Sequence, residues 1–336
     1  MFKIVRFNNW WSIIIPQILG WIYFCEITAS HPFLMEDSRR VGLFFLGVIA
    51  IAAFGYLFND YCDVDSDRIS GKKNLLENFN RATRAGIVLI PLVIGITAWT
   101  CVHAGAITKT LYALQIIALV IYSAPPIRLK ERSWLGIAAD AFYGHINPAF
   151  FTLGTFVCWD FTFGQSVLFI TVLIIATTLK GIRNILLHQL DDRKKDRFAG
   201  IQTFVVKNGG LFSLYLVNNL LLFEIISTVI LSLVISFFFP PFFSCLLFFS
   251  IVTYLKFSGW KLADVPQRQL KFKFLYFLND YYEGWVPVFF LILLSVKQPV
   301  FLFLLLLHLF LFPPFIIKLW KDLKTIKQNF KTEDEY

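Results

Sequence analysis

Charged residues are scarce in this sequence. They make up 16% of its 336 residues, whereas soluble domains carry roughly 25%, so too few are present to coat a soluble surface of this size. The five cysteines are odd in number and lack the paired spacing of a metal site. Low-complexity linkers are also absent. These absences argue against a soluble enzyme, a disulfide scaffold and a string of linked domains.

Hydrophobic residues make up 57% of the chain, in blocks long enough to cross a bilayer. The blocks predict an all-α, polytopic transmembrane bundle of nine or ten helices. The ninth is short unless it begins nearer Phe274. We expect a single transmembrane domain over 1–318 and a polar cytoplasmic tail over 319–336. The predicted spans lie near 10–29, 41–58, 86–105, 110–124, 135–157, 165–187, 211–237, 240–256, 284–296 and 299–317.

Basic residues are distributed unevenly along the chain. With the N-terminus placed in the cytoplasm and ten spans, only Arg39, Arg40, Lys109 and Lys297 of the 31 basic residues fall outside the cytoplasmic segments. Cytoplasmic loops carry such an excess in membrane proteins. The net charge of +9 therefore indicates membrane topology and no nucleic-acid partner. We expect a multi-pass protein of the cell membrane, in contact with the lipid bilayer.

Acidic residues cluster at the end of the second predicted span. If that helix continues, Asn59, Asp63 and Asp67 recur every four residues on one face, with Asp60 beside Asp63. Asp65 lies roughly opposite. Carboxylates on one face repel one another when no cation is present. Such oxygen-rich clusters suit Mg²⁺, which is usually held by a few carboxylates, waters and phosphate oxygens.

A second acidic cluster follows the sixth predicted span. Asp192 and Asp196 are four residues apart, with His188 and Asn184 one and two turns earlier. Both clusters follow even-numbered spans and should face one compartment, where bridging Mg²⁺ ions can hold a diphosphate between them. The simpler interpretation is a set of solvated acids paired with nearby Lys and Arg, and matched spacing in both clusters argues against it.

Three segments resemble the UbiA-type intramembrane prenyltransferase superfamily. Residues 59–67 resemble its first aspartate-rich motif, and Asp192-x-x-x-Asp196 followed by 199–203 resembles its second. Between them, residues 122–130 resemble a third shared segment. The three occur in the family's order, after helices two, four and six. The resemblance covers at least residues 40–210.

The resemblance implies a helical bundle with a central cavity and Mg²⁺-dependent transfer of an isoprenoid chain from a prenyl diphosphate to a hydrophobic or aromatic acceptor, with Mn²⁺ as a possible substitute. Asp63 and Asp192 would be the central catalytic acids. Quinone-pathway members often follow the first motif with an Asn-, Pro- and Arg-rich stretch, whereas residues 68–74 here differ, which puts a ubiquinone or menaquinone assignment in doubt. By the resemblance, the metal would be bound by Asn59, Asp60, Asp63, Asp67, Asp192 and Asp196, and the diphosphate by Lys72, Arg128 and Lys130.

Several polar residues fall outside these motifs. Asp140 and His145 lie within the fifth predicted span, and we consider them for the acceptor pocket together with Asn184 and His188. Intramembrane ionisable groups usually face a cavity or a partner. Helix–helix hydrogen bonding explains Asp140 and His145 equally well.

Two alternatives to a transferase remain. A cyclase of the same superfamily would ionise the diphosphate without an external acceptor. A cation-coupled transporter would place its acids near the bilayer midplane, often within inverted repeats. Here the clustered acids occupy helix ends and no repeat is visible. Analysis of the products would distinguish the transferase from the cyclase.

Overall fold

The computed structural model describes residues 7–29, 33–34, 37–71, 73–156, 162–258 and 274–333. Within these ranges it contains helices, turns and loops but no β-strand. The α-helices are α1 (Phe7–Thr28), α2 (Ser38–Ser70), α3 (Arg81–Cys101), α4 (Ala106–Ser123), α5 (Trp134–Ala141), α6 (Asn147–Phe156), α7 (Phe163–Phe198), α8 (Phe204–Asn208), α9 (Gly210–Phe238), α10 (Phe242–Ser258), α11 (Phe277–Asp280), α12 (Val286–Lys297), α13 (Phe301–Leu311) and α14 (Pro313–Glu333).

Six helices of the described ranges are long and apolar enough to cross a membrane. The predicted all-α, polytopic architecture is therefore confirmed. The count of nine or ten spans stays a prediction, because α10 is shorter and other predicted spans are divided. The six segments are Trp10–Thr28, Ser38–Ile69, Arg81–Cys101, Ala106–Ser123, Phe163–Phe198 and Gly210–Phe238.

Three interruptions divide predicted spans. A π-helix at Phe142–Ile146 joins α5 to α6, and a second at Tyr281–Trp285 joins α11 to α12. Helix α11 and this second π-helix lead directly into the ninth predicted span, whose start stays a prediction. The tenth predicted span is not one straight helix, because α13 and α14 meet at an 80° bend. A proline pair follows Phe312 at this bend, and proline cannot continue an α-helix from the preceding turn.

The chain divides into two compact units. The first takes its described residues from 1–11, 29–160 and 174–224, and the second takes them from 12–28, 161–173 and 225–336. The single domain expected over 1–318 stays a prediction. The expected polar tail is helical through Glu333, as part of α14.

Aromatic residues pack the first unit. Trp99 of α3 stacks on Tyr112 of α4, with ring centroids 4.1 Å apart, and the edge of Phe151 of α6 meets the Trp99 ring. The Tyr112 hydroxyl donates to the Gly47 carbonyl of α2 at 3.2 Å. A side chain at Gly95 would lie 2.8 Å from that hydroxyl. Small residues thus let α2, α3 and α4 approach closely, as in other membrane bundles.

The second unit has its own aromatic core. Phe24 of α1 stacks on Phe169 of α7 at 5.7 Å, and Phe242 of α10 stacks on Phe290 of α12 at 5.0 Å. The Tyr281 hydroxyl in the second π-helix shares a 2.7 Å hydrogen bond with Ser232. The polar and aromatic segment at 279–285 therefore packs against α9.

Candidate active site

Helix α2 carries the first acidic cluster on three extra turns beyond the predicted end of its span. Gly71 ends the helix with φ of 67°, and its N–H donates to the Arg68 carbonyl. Glycine suits this left-handed position because it has no Cβ. Asp60, Asp63 and Asp67 are all buried. The Asp65 side chain is 94% exposed, so the structure agrees with the predicted helical face.

Asp63 is paired with two cations. Lys130 Nζ lies 2.5 Å from both carboxylate oxygens, and Arg128 Nη2 lies 3.0 Å from Oδ1. Lys130 also donates to Asn59 Oδ1 at 2.9 Å, which in turn accepts from the Ser123 hydroxyl at 3.0 Å. The expectation that the acids of this face mainly repel one another is therefore wrong for Asp63. Its charge is neutralised by side chains that lie 65 and 67 residues further along the sequence.

The short loop between α4 and α5 carries the two cationic residues, Arg128 and Lys130. Arg128 has φ of 40°, an uncommon left-handed conformation for a residue with a Cβ, and a 3₁₀ turn covers Leu129–Glu131. A Cβ at Gly136 of α5 would lie 2.7 Å from the Leu129 carbonyl oxygen, so the loop packs where only glycine fits. Burial lowers the pKa of Lys130, against the opposing effect of the Asp63 carboxylate. The loop thus holds Lys130 against α2.

Asn74 is a member of the site that sequence reasoning missed. Its Nδ2 donates to Asp67 Oδ2 at 2.9 Å and to the Asp60 carbonyl at 2.8 Å. Its Oδ1 accepts from the Leu76 N–H at 3.0 Å and starts a 3₁₀ turn. Asn74 therefore fixes the side chain of Asp67. The proposed phosphate contact Lys72 lies outside the described residues.

Helix α7 also continues past its predicted span and carries the second cluster. Asp196 is buried, whereas the Asp192 side chain is 28% exposed and has Lys195 at 3.5 Å and His188 at 4.0 Å. The helix ends where the Ile201 N–H bonds to the Asp196 carbonyl, beside Gly200 with φ of 73°. The His188 side chain is 72% exposed, so it lies at the surface near the acids.

Tyr122 connects the two clusters. This residue at the end of α4 interacts electrostatically with Asp63 of α2 and with Asp196 of α7. Its ring meets that of Tyr143 edge-on at 5.1 Å. The second acid of each pattern therefore lies within electrostatic range of the same tyrosine. The rings of Tyr122 and Tyr143 therefore lie near the carboxylates of the two clusters.

The donor set suits Mg²⁺, though the described residues hold no group of three or more His, Cys, Asp or Glu within reach of one ion. Mg²⁺ usually takes one or two carboxylates and completes its shell with water and substrate phosphate. Asp60, Asp63, Asp67, Asp192 and Asp196 offer only oxygen ligands, which this hard cation prefers. An ion held here would therefore need water and phosphate oxygens to complete its coordination shell.

The acceptor candidates fall into two places. Asp140 accepts from the Tyr143 hydroxyl at 2.7 Å and interacts with His188. His145 lies in the π-helix at Phe142–Ile146, a distortion often found at functional sites. Its buried Nδ1 and the buried Oδ1 of Asn184 have no hydrogen-bond partner among the described residues. Asp140 and His188 thus interact with each other, whereas His145 interacts with Lys180 and Arg183.

Helices α7 and α9 carry buried charged residues. Lys180 and Arg183 were counted among the cytoplasmic basic residues, but they are only 2% and 0% exposed. Arg183 forms a two-point ion pair with Glu224, with Nη2 2.9 Å from Oε1 and a second contact from Nε to Oε2. Both cations interact electrostatically with His145. Glu224 of α9 thus has its charge compensated by Arg183 of α7.

The UbiA prenyltransferase family profile matches residues 16–279. The chain belongs to the UbiA prenyltransferase family. The match includes both acidic clusters and the Arg128–Lys130 loop. The resemblance found in three short segments therefore extends over most of the sequence of this UbiA family member.

Two curated relatives illustrate the range of this family. A chloroplastic 2-acylphloroglucinol 4-prenyltransferase of Humulus lupulus is 26% identical over 235 residues, which are 65% of this chain and 56% of that protein. The bacteriochlorophyll synthase 34 kDa chain of Chloroflexus aurantiacus is 27% identical over 124 residues, 36% of this chain and 40% of that one. The chain spans about half the length of the curated relatives it matches.

Solved structures share the fold. A UbiA homologue from Archaeoglobus fulgidus bound to GPP and Mg²⁺ has a TM-score of 0.59 at 15% identity, covering 86% of this chain and 98% of that one. A digeranylgeranylglyceryl phosphate synthase has a TM-score of 0.57 at 16% identity, covering 86% and 96%. At this identity the likeness establishes the UbiA fold of the chain.

Proposed function

We propose that this chain catalyses Mg²⁺-dependent transfer of a prenyl group from its diphosphate to a hydrophobic or aromatic acceptor within the membrane. The observation that carries the proposal is the arrangement around Tyr122, which interacts with one acid from each cluster. Lys130 and Arg128 form ion pairs with Asp63, which is one of these two acids. Family membership and a solved relative that binds GPP and Mg²⁺ support the same reaction.

The first role of the chain is to bind the diphosphate. Asp60, Asp63 and Asp67 on α2 and Asp192 and Asp196 on α7 would bind the substrate through metal. Bound Mg²⁺ would supply positive charge to the leaving diphosphate. Lys130 and Arg128 would turn from the Asp63 carboxylate to phosphate oxygens, forming charge-assisted hydrogen bonds.

The second role is to protect an allylic cation from water. Breaking the bond between the prenyl C1 and the diphosphate oxygen leaves positive charge on the prenyl group, and the acceptor then bonds to C1 and loses a proton. Water would compete with the acceptor, so the site must be dry. The rings of Tyr122 and Tyr143 adjoin the acids, and aromatic faces attract cations.

The acceptor would be oriented by polar groups on α5 to α7. The buried Nδ1 of His145 and Oδ1 of Asn184 have no hydrogen-bond partner in the described part of the chain. Buried polar groups are normally hydrogen-bonded, so these two atoms suit a polar group of an acceptor. This favours a transferase over a cyclase, which needs no acceptor. Asp140 and His188 are candidates to receive the proton.

The experiment combines the purified protein with Mg²⁺, a panel of prenyl diphosphates and a membrane-lipid extract, and identifies the products by mass spectrometry. We expect a prenylated lipid whose mass exceeds that of its precursor by one prenyl unit. Cyclic hydrocarbons formed without the extract would identify a cyclase instead. An unchanged diphosphate panel, with a folded protein, would contradict both reactions. Excess chelator should abolish turnover.

We also propose a cytoplasmic N-terminus and cytoplasmic acidic clusters. The distribution of basic residues supports this orientation, even after Lys180 and Arg183 are removed from the count. A soluble prenyl diphosphate would then reach the acids from the cytoplasm. The acceptor would enter from the lipid.

A further inference from the structure

Helix α14 differs from the membrane spans in charge and direction. It leaves α13 at an 80° bend. Its first fifteen residues contain Lys318, Lys321, Lys324 and Lys327, against a single acid, Asp322. α13 has 11 residues, about 16 Å of helix at 1.5 Å per residue. Together α13 and α14 are long and apolar enough for a broken span, but α14 does not continue α13 as one straight helix, and it carries most of the charge of the pair.

One face of α14 packs against other helices of the second unit. Ile326 is buried, and the Phe315 ring meets Trp285 edge-on at 6.0 Å. Two ion pairs hold the helix in place. Lys318 lies 2.5 Å from Asp280 at the end of α11, and Asp322 lies 2.9 Å from Lys256 near the end of α10. These contacts fix the rotation of α14 about its own axis.

A second face is apolar but exposed. Ile316, Trp320 and Leu323 are 44%, 62% and 47% exposed, and their spacing of four and three residues places them on one side. Lys324 lies 5.4 Å from the centre of the Trp320 ring. The exposed Lys327 continues the same edge. The stripe therefore has tryptophan and lysine along one border.

We propose that α14 lies in the membrane interface, with this apolar stripe in the acyl boundary and its lysines on the headgroups of anionic phospholipids. The single acid of its first fifteen residues is already paired with Lys256, so the outward charge is positive and complements an anionic leaflet. Amphipathic helices with lysine beside tryptophan and leucine bind membranes in this way. Tryptophan favours the headgroup level, and lysine stems extend along apolar surface toward it.

The positive charge of α14 also favours an anionic lipid surface over another protein as the partner of the apolar stripe. Each Lys near an anionic leaflet adds a favourable interaction that falls off within a Debye length. An exposed stripe of three apolar residues is small for a stable protein interface. The proposal concerns the second unit and does not depend on the reaction proposed for the acids of the first.

Hydrogen exchange of the full chain in lipid nanodiscs tests the proposal. We expect the amides of 315–327 to exchange at least about tenfold more slowly in discs of phosphatidylcholine with phosphatidylglycerol than in phosphatidylcholine alone, because of three exposed lysines. High salt should reduce the difference. The amides of α3, which carries no such basic stripe, provide the internal reference and should not change.

Variants separate charge from apolar contact. Lys321→Gln, Lys324→Gln and Lys327→Gln combined should abolish the lipid dependence, whereas Lys109→Gln, in the first turn of α4, should leave it unchanged. Trp320→Ser with Leu323→Ser should lose protection in both lipids. Equal exchange in both lipids for the unaltered protein would overturn the proposal. So would protection that appears only with two copies per disc, since the stripe would then be covered by a second chain.

Discussion

Replacing Asp63 by asparagine keeps the size of the side chain and removes its charge. Lys130, only 11% exposed, would then lose the carboxylate that neutralises it, whereas Arg128 would keep Glu131 at 2.6 Å. Removing one partner of a buried ion pair destabilises by about 3–5 kcal/mol. Asn retains an acceptor oxygen for Lys130, so we place the loss at the lower end, about 3 kcal/mol.

Asp65→Asn provides a matched control two residues away. The Asp65 side chain is 94% exposed and lies 4.0 Å from Arg68, and surface substitutions usually change stability by no more than about 0.5 kcal/mol. Equilibrium unfolding in detergent should therefore separate the two variants. A double-mutant cycle of Asp63→Asn with Lys130→Met should give a coupling energy of about 2 kcal/mol.

Equal stability of the Asp63→Asn and Asp65→Asn variants would refute this reasoning. It would mean that the repulsion among Asp60, Asp63 and Asp67 offsets the two ion pairs, as the sequence alone suggested. A coupling energy near zero would mean that Lys130 does not contact Asp63 in the folded protein.

Three further predictions follow from particular contacts. Lys130→Met should weaken binding of geranyl diphosphate about tenfold or more, measured by calorimetry with Mg²⁺, because it removes a charge-assisted hydrogen bond; unchanged affinity would exclude Lys130 from the site. Arg183→Met should lose about 3 kcal/mol in detergent unfolding, and adding Glu224→Leu should restore most of it; additive losses would contradict a direct pair. External thiol reagents should label a cysteine at Asp160 but miss one at Lys195, and the reverse would invert the topology.

Sequence spacing predicted the helical faces of the site well. A period of four residues placed Asp63 and Asp67 together and Asp65 opposite, and both helices do continue past the apolar blocks that end at 58 and 187. Such periodicity is a local property, because it depends only on the geometry of one helix. Hydrophobicity underestimated both helix lengths because their last turns are polar.

Partners distant in sequence could not be predicted in this way. Arg183 and Glu224 are 41 residues apart, and no local spacing in the sequence indicates that they pair. Asn74 gave no signal beyond its turn-forming type, yet it fixes Asp67. The two π-helices also have no simple sequence period, since each adds a residue to an otherwise regular helix. Tertiary contacts, rather than local patterns, determine these features.

The most direct test of the central claim measures diphosphate release from geranyl diphosphate by three purified proteins, unaltered, Asp63→Asn and Asp65→Asn, with Mg²⁺ and a membrane-lipid extract. We predict that the unaltered protein and Asp65→Asn release diphosphate at similar rates and stop in excess chelator. Asp63→Asn, assayed at a temperature where it is folded, should be slower by roughly a hundredfold, since metal-assisted charge stabilisation is worth several kcal/mol. Equal rates for Asp63→Asn and the unaltered protein, or full turnover in chelator, would contradict the proposed site.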